Sequence, residues 1–286
     1  MKNGLTVTIL LEAESANYGE GYGNITTLKK LTRGDGNTYS YISRQALRYN
    51  IIEQMKCDTT PVEAIGKGDK KVIQFSPNAT IEEYPEIDLF GYMKTEDGEG
   101  ATTRSAVVRL SNAISLEPYH SDLDFLTNMG LAKRSDANNS IAQSEIHKSY
   151  YSYTVAIDLD KIGIDGTIEI SKQEKINRIN HFLKTIQFLY RDIKGRRENL
   201  SPLFVVGGIY ERKNPYFENR IKVDNNKIDI QMLEDIINSD KDVKENTIIG
   251  CVDHTFNNSK EIEEKLKPMK VSNFFEELAK RVEEVF

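Results

Sequence analysis

Residues 5–11, Leu-Thr-Val-Thr-Ile-Leu-Leu, alternate apolar and polar positions before Glu12-Ala13-Glu14. A period of two puts every second side chain on one face, so this segment predicts a half-buried strand. A polar loop follows, Ser15-Ala16-Asn17-Tyr18-Gly19-Glu20-Gly21-Tyr22-Gly23-Asn24, and later Tyr41-Ile42-Ser43-Arg44-Gln45-Ala46-Leu47-Arg48. Ser43 suits an N-cap, which predicts a helix over about 44–56. Leu47, Ile51 and Met55 form its apolar stripe, and Arg44 and Arg48 lie one turn apart on a neighbouring face. Strand, glycine-rich loop and basic helix N-terminus in this order can build an anion site, because free backbone N–H groups and two arginines converge. Two plainer readings stand beside it: Arg44 and Arg48 in surface salt bridges, and the glycines as a flexible connection.

Further along, 57–86 lacks periodicity and holds Pro61, Gly66, Gly68, Pro77 and Pro85, so it reads as an inserted excursion. Residues 87–93 and 103–110 read as two strands, with Asp97-Gly98-Glu99-Gly100 as the turn of a hairpin. Residues 115–148 read as a second irregular, polar insertion. Tyr151, Tyr153, Val155, Ile157 and Leu159 alternate as a strand. Ser171-Lys172-Gln173-Glu174 is a capping box opening a strong helix. Its stripe is Ile176, Ile179, Leu183, Ile186, Tyr190 and Ile193. Residues 203–209 and 247–252 are buried-type strands, the latter expected to be the last, and from Asn273 an amphipathic helix carries Phe274, Phe275, Leu278, Val282 and Phe286. About six strands and two main helices, interspersed, predict an α+β sandwich with helices on one face of a mainly antiparallel sheet.

Two cysteines, Cys57 and Cys251, are too few for a disulfide framework and suit a reducing cytoplasm. No stretch reaches the roughly 20 apolar residues of a membrane span, and the short N-terminal apolar run is not a signal peptide. The net charge of −6 counts against extensive nucleic-acid binding. A local excess of cations over 184–213 (Lys184, Arg191, Lys194, Arg196, Arg197, Arg212, Lys213) remains compatible with a phosphate site. Arg196 and Arg197, which follow Gly195, are better read as the cations of a helix C-terminus, where the dipole favours them.

The residues offer no catalytic constellation. His120, His147, His181 and His254 lack metal-ligand spacing, and no P-loop lysine follows the glycines of 19–23. Asp158 and Asp160 share a strand face but read as strand-end solvation. No metal, cofactor or catalytic residue is expected. Phe125, Leu126 and Met129, apolar in a polar insertion, are either a small satellite core or an apolar wedge.

The ordered set from Leu5 to Asn24, the Ser-Arg-Gln-Ala-Leu-Arg helix start at 43–48, Asp88-Leu89-Phe90-Gly91-Tyr92, Arg104 through Ser115 and Tyr151 through Gly163 resembles the backbone subunit of type I CRISPR surveillance complexes. The resemblance is to the DevR family associated with subtype I-B, within the RAMP superfamily. It implies an RRM-like (ferredoxin-like) palm as a single domain over 1–286, with 57–86 as an inserted finger and 115–148 as a thumb. It also implies a non-enzymatic, cytoplasmic protein of antiviral defence that multimerises along a CRISPR guide RNA. Its partners would be further copies of itself, other Cascade subunits and target DNA, with no membrane. The thumb of one copy would splay a guide nucleotide at regular intervals.

Guide sequence varies, so the protein must hold RNA without reading bases, and phosphate contacts do this. The implied RNA-binding residues are Ser43, Arg44, Gln45 and Arg48 facing Asn17 and Asn24, with Phe125, Leu126 and Met129 in the thumb. Three rivals remain. A type III-like subunit would cleave target RNA with a metal and an aspartate after the first strand, where Asp35 lies; a lone Asp between glycines is more often a turn residue. A solitary RNA-processing nuclease needs an acid–base pair that His181 and His254 do not supply. A protein-only scaffold would assemble without RNA.

Overall fold

The computed structural model describes residues 3–65, 71–96, 100–135 and 138–286. A nine-stranded sheet forms the body: β1 (Gly4–Ala13), β2 (Lys30–Thr32), β3 (Thr38–Ile42), β4 (Val108–Leu110), β5 (Ala113–Ser115), β6 (Ser149–Asp158), β7 (Phe204–Tyr210), β8 (Ile248–Cys251) and β9 (Met269–Lys270). Eight α-helices accompany it among the described residues: α1 (Arg44–Met55), α2 (Pro85–Phe90), α3 (Met129–Ser135), α4 (Lys172–Gln187), α5 (Ile230–Ile237), α6 (Lys241–Asn246), α7 (Ser259–Leu266) and α8 (Val271–Val285). In space the strands run β9-β8-β7-β1-β6-β5-β3-β2, with β4 also paired to β6. Every pairing in this sheet is antiparallel except β8–β9.

The frame is βαββαβ: β1, α1, the interrupted strand β4–β5, β6, α4 and β7, with β7-β1-β6-β5 adjacent in space. This is the RRM-like, ferredoxin-like α+β arrangement with a mainly antiparallel sheet. Leu5, Val7, Ile9 and Leu11 of β1 share one face with Tyr151, Tyr153, Val155 and Ile157 of β6. Onto it pack Leu47, Ile51 and Met55 of α1, Ile179, Phe182, Leu183 and Ile186 of α4, and Phe274 and Leu278 of α8. The stripes read from the sequence thus meet in one core.

The second sheet face departs from the half-buried expectation. Every residue of β1 except Glu12 is buried. Leu10, Phe204, Val206 and Tyr210 lie under a layer containing Phe217, Ile221, Leu233, Phe256 and Ile262. Thr8 and Thr154, opposite each other, satisfy their hydroxyls mutually at 2.8 Å. Cross-chain cover of this kind leaves no trace in the local period.

Several expected boundaries are corrected. Residues 87–93 are not one strand but helix α2 followed by the strand Tyr92–Glu96. Pro85 fits the first turn of α2, and Gly91 ends it at φ +71°, where a Cβ would lie 2.3 Å from the Arg104 carbonyl. Residues 103–110 split into the strand Gly100–Arg104, which pairs with Tyr92–Glu96 as the expected hairpin, and β4. Of the turn read there, Asp97, Gly98 and Glu99 lie outside the described residues, as do Gly66 and Gly68.

The α4 stripe stops at Gln187, so Tyr190 and Ile193 belong to a strand, Tyr190–Ile193. That strand turns back through Lys194 (φ +50°) and Gly195 (φ +77°) into Arg196–Asn199. Arg196 and Arg197 are therefore on a hairpin, not at a helix C-terminus. Two left-handed residues at its tip are what a tight hairpin turn requires. A short ninth strand, β9, follows the strand expected to be last. Residues 115–148 are not irregular: they hold the hairpin Asp122–Thr127/Ile141–Ile146, helix α3, and a parallel pairing with Ile25–Thr26. Residues 57–86 contain a further hairpin, Val62–Ile65/Val72–Phe75, whose Gln74 side chain binds the Thr95 backbone.

Candidate nucleic-acid interface

The N-terminus of α1 is built by three separated segments. Ser43 takes extended geometry (φ −67°, ψ 147°), and its hydroxyl accepts from the Ala46 N–H at 3.3 Å. Asn17, from the loop after β1, accepts from the Ser43 N–H (3.1 Å) and hydroxyl (2.7 Å). Asn112, between β4 and β5, accepts from the Arg44 N–H at 2.9 Å. Protein side chains thus occupy most donors that the sequence reading left free for an anion. Among the described residues the Gln45 N–H keeps no acceptor. Asn17 and the buried Ser43 buttress the helix start, so most of the donors left free here are on side chains.

Those side chains converge. A cleft of about 400 Å³ is lined by Arg44, Gln45, Arg48 and Arg109, over an apolar floor of Phe90, Ala106, Val108 and Leu110. Arg44 is exposed and forms no ion pair among the described residues. Arg48 lies over the Phe90 ring (4.9 Å to its centroid) and reaches Glu86 at 3.1 Å. Arg109 grips Asp158 with two bonds, 3.0 and 3.1 Å. Burial opposes ionisation of Asp158, but the bonds and charge of Arg109, with Lys213 and Lys161, outweigh it and hold the carboxyl below the usual range. Planar guanidinium groups above an apolar floor suit phosphate oxygens and stacked rings. Arg109 was not legible beforehand, because only the tertiary fold brings β4 beside α1.

The loop from β1 is pinned from below. Buried Arg191 donates to the Ser15 and Ala16 carbonyls and to Glu198. Glu198 in turn accepts from the Glu14 (2.7 Å) and Ser15 (3.1 Å) N–H groups. Burial disfavours the Glu198 charge, yet Arg191 and those two N–H groups depress its pKa. The cations of 184–213 are largely spoken for: Arg196 pairs with Glu14 and Glu198, and Arg197 with Asp192. Lys194 lies over Tyr18.

Asn24 is tied by its backbone to the 122–146 hairpin. Its carbonyl accepts from the Gln143 N–H at 2.9 Å, and Gln143 lies opposite Phe125. Phe125 and Leu126 stand on the same hairpin, and Met129 opens α3 beside it. These three are 55%, 67% and 52% exposed, so they are not a satellite core. The hairpin is rooted in the palm: Glu145 binds the Leu28 N–H and Lys30, both at 2.7 Å. Ser40 joins His147 Nδ1 (2.7 Å) and the Tyr151 hydroxyl (2.6 Å). Burial lowers the His147 pKa.

Asp35 sits in a turn, as its glycine neighbours suggest. Its carboxylate accepts from the Tyr39 hydroxyl (2.5 Å) and the Asn37 N–H (2.9 Å), and those bonds, Tyr39 first, lower its pKa. Among the described residues no helix is long and apolar enough to cross a membrane.

Comparison with known proteins adds the lineage. The chain is 31% identical over 158 residues to the CRISPR-associated protein Cas7/Cst2/DevR of Myxococcus xanthus (strain DK1622). That match spans 49% of this chain and 52% of the relative, about half the length of each. A chain of a CRISPR RNA-guided surveillance complex in its pre-nicking state superposes with a TM-score of 0.61 at 11% identity, covering 96% of this chain and all of that one. A second CRISPR RNA-guided surveillance complex chain gives 0.58 at 13% identity, covering 96% and 98%. At such identities the likeness speaks for the fold alone. The model of the family described as CRISPR-associated negative auto-regulator DevR/Csa2 matches residues 5–231, and the chain belongs to that family.

Proposed function

We propose that this protein binds the phosphate backbone of a CRISPR guide RNA without regard to sequence, and multimerises along it as the backbone of a type I surveillance complex. The observation that carries the reading is the cleft at the start of α1, where Arg44, Arg48 and Arg109 converge on a chain of net charge −6. Cations concentrated in one cleft can bind a polyanion that the rest of the surface repels. Phosphate contacts fix position and carry no base information, which a variable guide demands.

In this reading the domain is a single RRM-like palm. Residues 57–86 act as a finger and 115–148 as a thumb, reaching adjacent copies. Phe125, Leu126 and Met129, exposed on the hairpin, would insert between guide bases; apolar side chains of this kind offset part of an unstacking cost of a few kcal/mol. Other subunits and target DNA complete the assembly in the cytoplasm. The reading assigns no catalysis to this chain, and the engagement of Asp35 by Tyr39 and Asn37 supports a turn role for it.

Arg44→Ala combined with Arg48→Ala tests the reading. It should weaken binding to any single-stranded RNA by about 1–3 kcal/mol per contact and flatten the salt dependence. Unchanged affinity and slope in a folded double variant would remove the cleft from the interface. Purification from cells with and without a guide RNA separates RNA-driven assembly from a protein-only scaffold, read by absorbance ratio and sizing.

A further inference from the structure

The three cleft arginines differ in what they already hold. Arg109 is bidentate on Asp158, whose side chain is 6% exposed and also faces Lys161 at 3.4 Å and Lys213 at 3.8 Å. That carboxylate is locked among three cations and belongs to the framework. Arg44 is exposed with no ion pair among the described residues. Arg48 is the intermediate case. Among the described residues it makes one ion pair, Nη2 to Glu86 Oε1 at 3.1 Å, with side chains 33% and 16% exposed. Glu86 lies in the first turn of α2, the same helix that places Phe90 under Arg48.

A single hydrogen bond at a partly wet site is readily exchanged, and a phosphate oxygen is a ligand of the same kind as a carboxylate oxygen. Any phosphate approaching Arg48 meets Glu86 already there. It must displace that carboxylate or share the guanidinium with a like charge about a hydrogen bond away. Either course subtracts from the attraction.

We infer that Glu86 is a resident competitor for phosphate at Arg48, a residue that sets the affinity of the cleft by holding this contact below the strength of an unopposed arginine–phosphate pair. The inference rests on the backbone-binding reading of the cleft. It assigns Glu86 a role opposite to that of a supporting residue: removing its charge improves binding.

The test is anisotropy of a labelled, mixed-sequence single-stranded RNA titrated with the full chain over a salt series. Glu86→Gln keeps the side-chain volume and should bind roughly twofold to fivefold tighter, the factor expected for releasing one partly exposed ion pair. Its salt dependence should steepen, because the site gains one net positive charge. In the Arg48→Ala background the gain should vanish. Glu284→Gln, which removes an exposed charge on α8, should give no comparable gain. Glu86→Ser is the second variant, should Glu86→Gln melt lower than wild type, and is expected to show the same gain. Unchanged or weaker binding by folded Glu86 variants overturns the inference. So does a gain that persists without Arg48 or is matched by Glu284→Gln. Failure of the underlying reading looks different: wild type and Arg44→Ala/Arg48→Ala would bind the RNA equally.

Discussion

Asp88 offers the sharpest test of how the cleft is held. It is fully buried in α2 and accepts from Arg104 (2.7 Å), Arg178 (3.0 Å) and the Gly163 N–H (2.9 Å). The arginine side chains are 8% and 3% exposed, so Asp88→Ala removes the fully buried counter-charge that both share. Removing one partner of a buried ion pair costs about 3–5 kcal/mol. Both arginines keep other partners, Arg178 the Glu174 carboxylate with the Ile81 and Glu82 carbonyls, and Arg104 the Lys161 carbonyl with Asp165 at 3.8 Å, which places the expectation at the lower end, about 3 kcal/mol. For a chain of this size that corresponds to a fall in Tm of roughly 6–12 °C. Asp88→Asn retains one acceptor and should lose about 1–3 kcal/mol. Urea titration and a thermal melt measure both. Because α2 also carries Phe90 of the cleft floor, RNA affinity should fall alongside stability. A loss below about 1 kcal/mol in Asp88→Ala would refute the reasoning that this buried carboxylate fastens α2 to Arg104 and Arg178.

Phe125→Ser and Met129→Ser should leave the thermal melt of the free protein nearly unchanged, since both side chains are more than half exposed, and should weaken assembly on RNA; a fall of many degrees would make them core residues after all. Guide-length RNA should drive a defined multimer whose stoichiometry grows with RNA length, and a length-independent stoichiometry by light scattering would sink the multimerisation reading. Burial lowers the His147 pKa below 6.5, so the unfolded chain binds its proton first as the medium is acidified. The corresponding stability is fully present above about pH 6.5 and declines as pH falls below it, and the drop in Tm over that window should be shallower in His147→Gln.

The sequence by itself determined the parts whose cause is local. The alternation of 5–11 placed β1, Ser43 and Ser171 started α1 and α4 at the expected residues, and their 3.6-residue stripes named the core they share. The pairing of Arg44 with Arg48 on one helix face was legible for the same reason. Alternating Ile87 and Leu89 imitated a strand, because a helix of six residues is too short for its period to show. Only the tertiary structure decided that Asn17 and Ser43 support the site while Arg109 enters it, and that Asn24 stands with the hairpin residues instead. It alone buried Arg191 against Ser15 and Ala16, and Asp88 against Arg178, partners that lie 176, 175 and 90 residues apart in the chain. Charge pairs and caps form wherever folding brings donors and acceptors within about 3 Å, and neither composition nor periodicity encodes that proximity across distant segments.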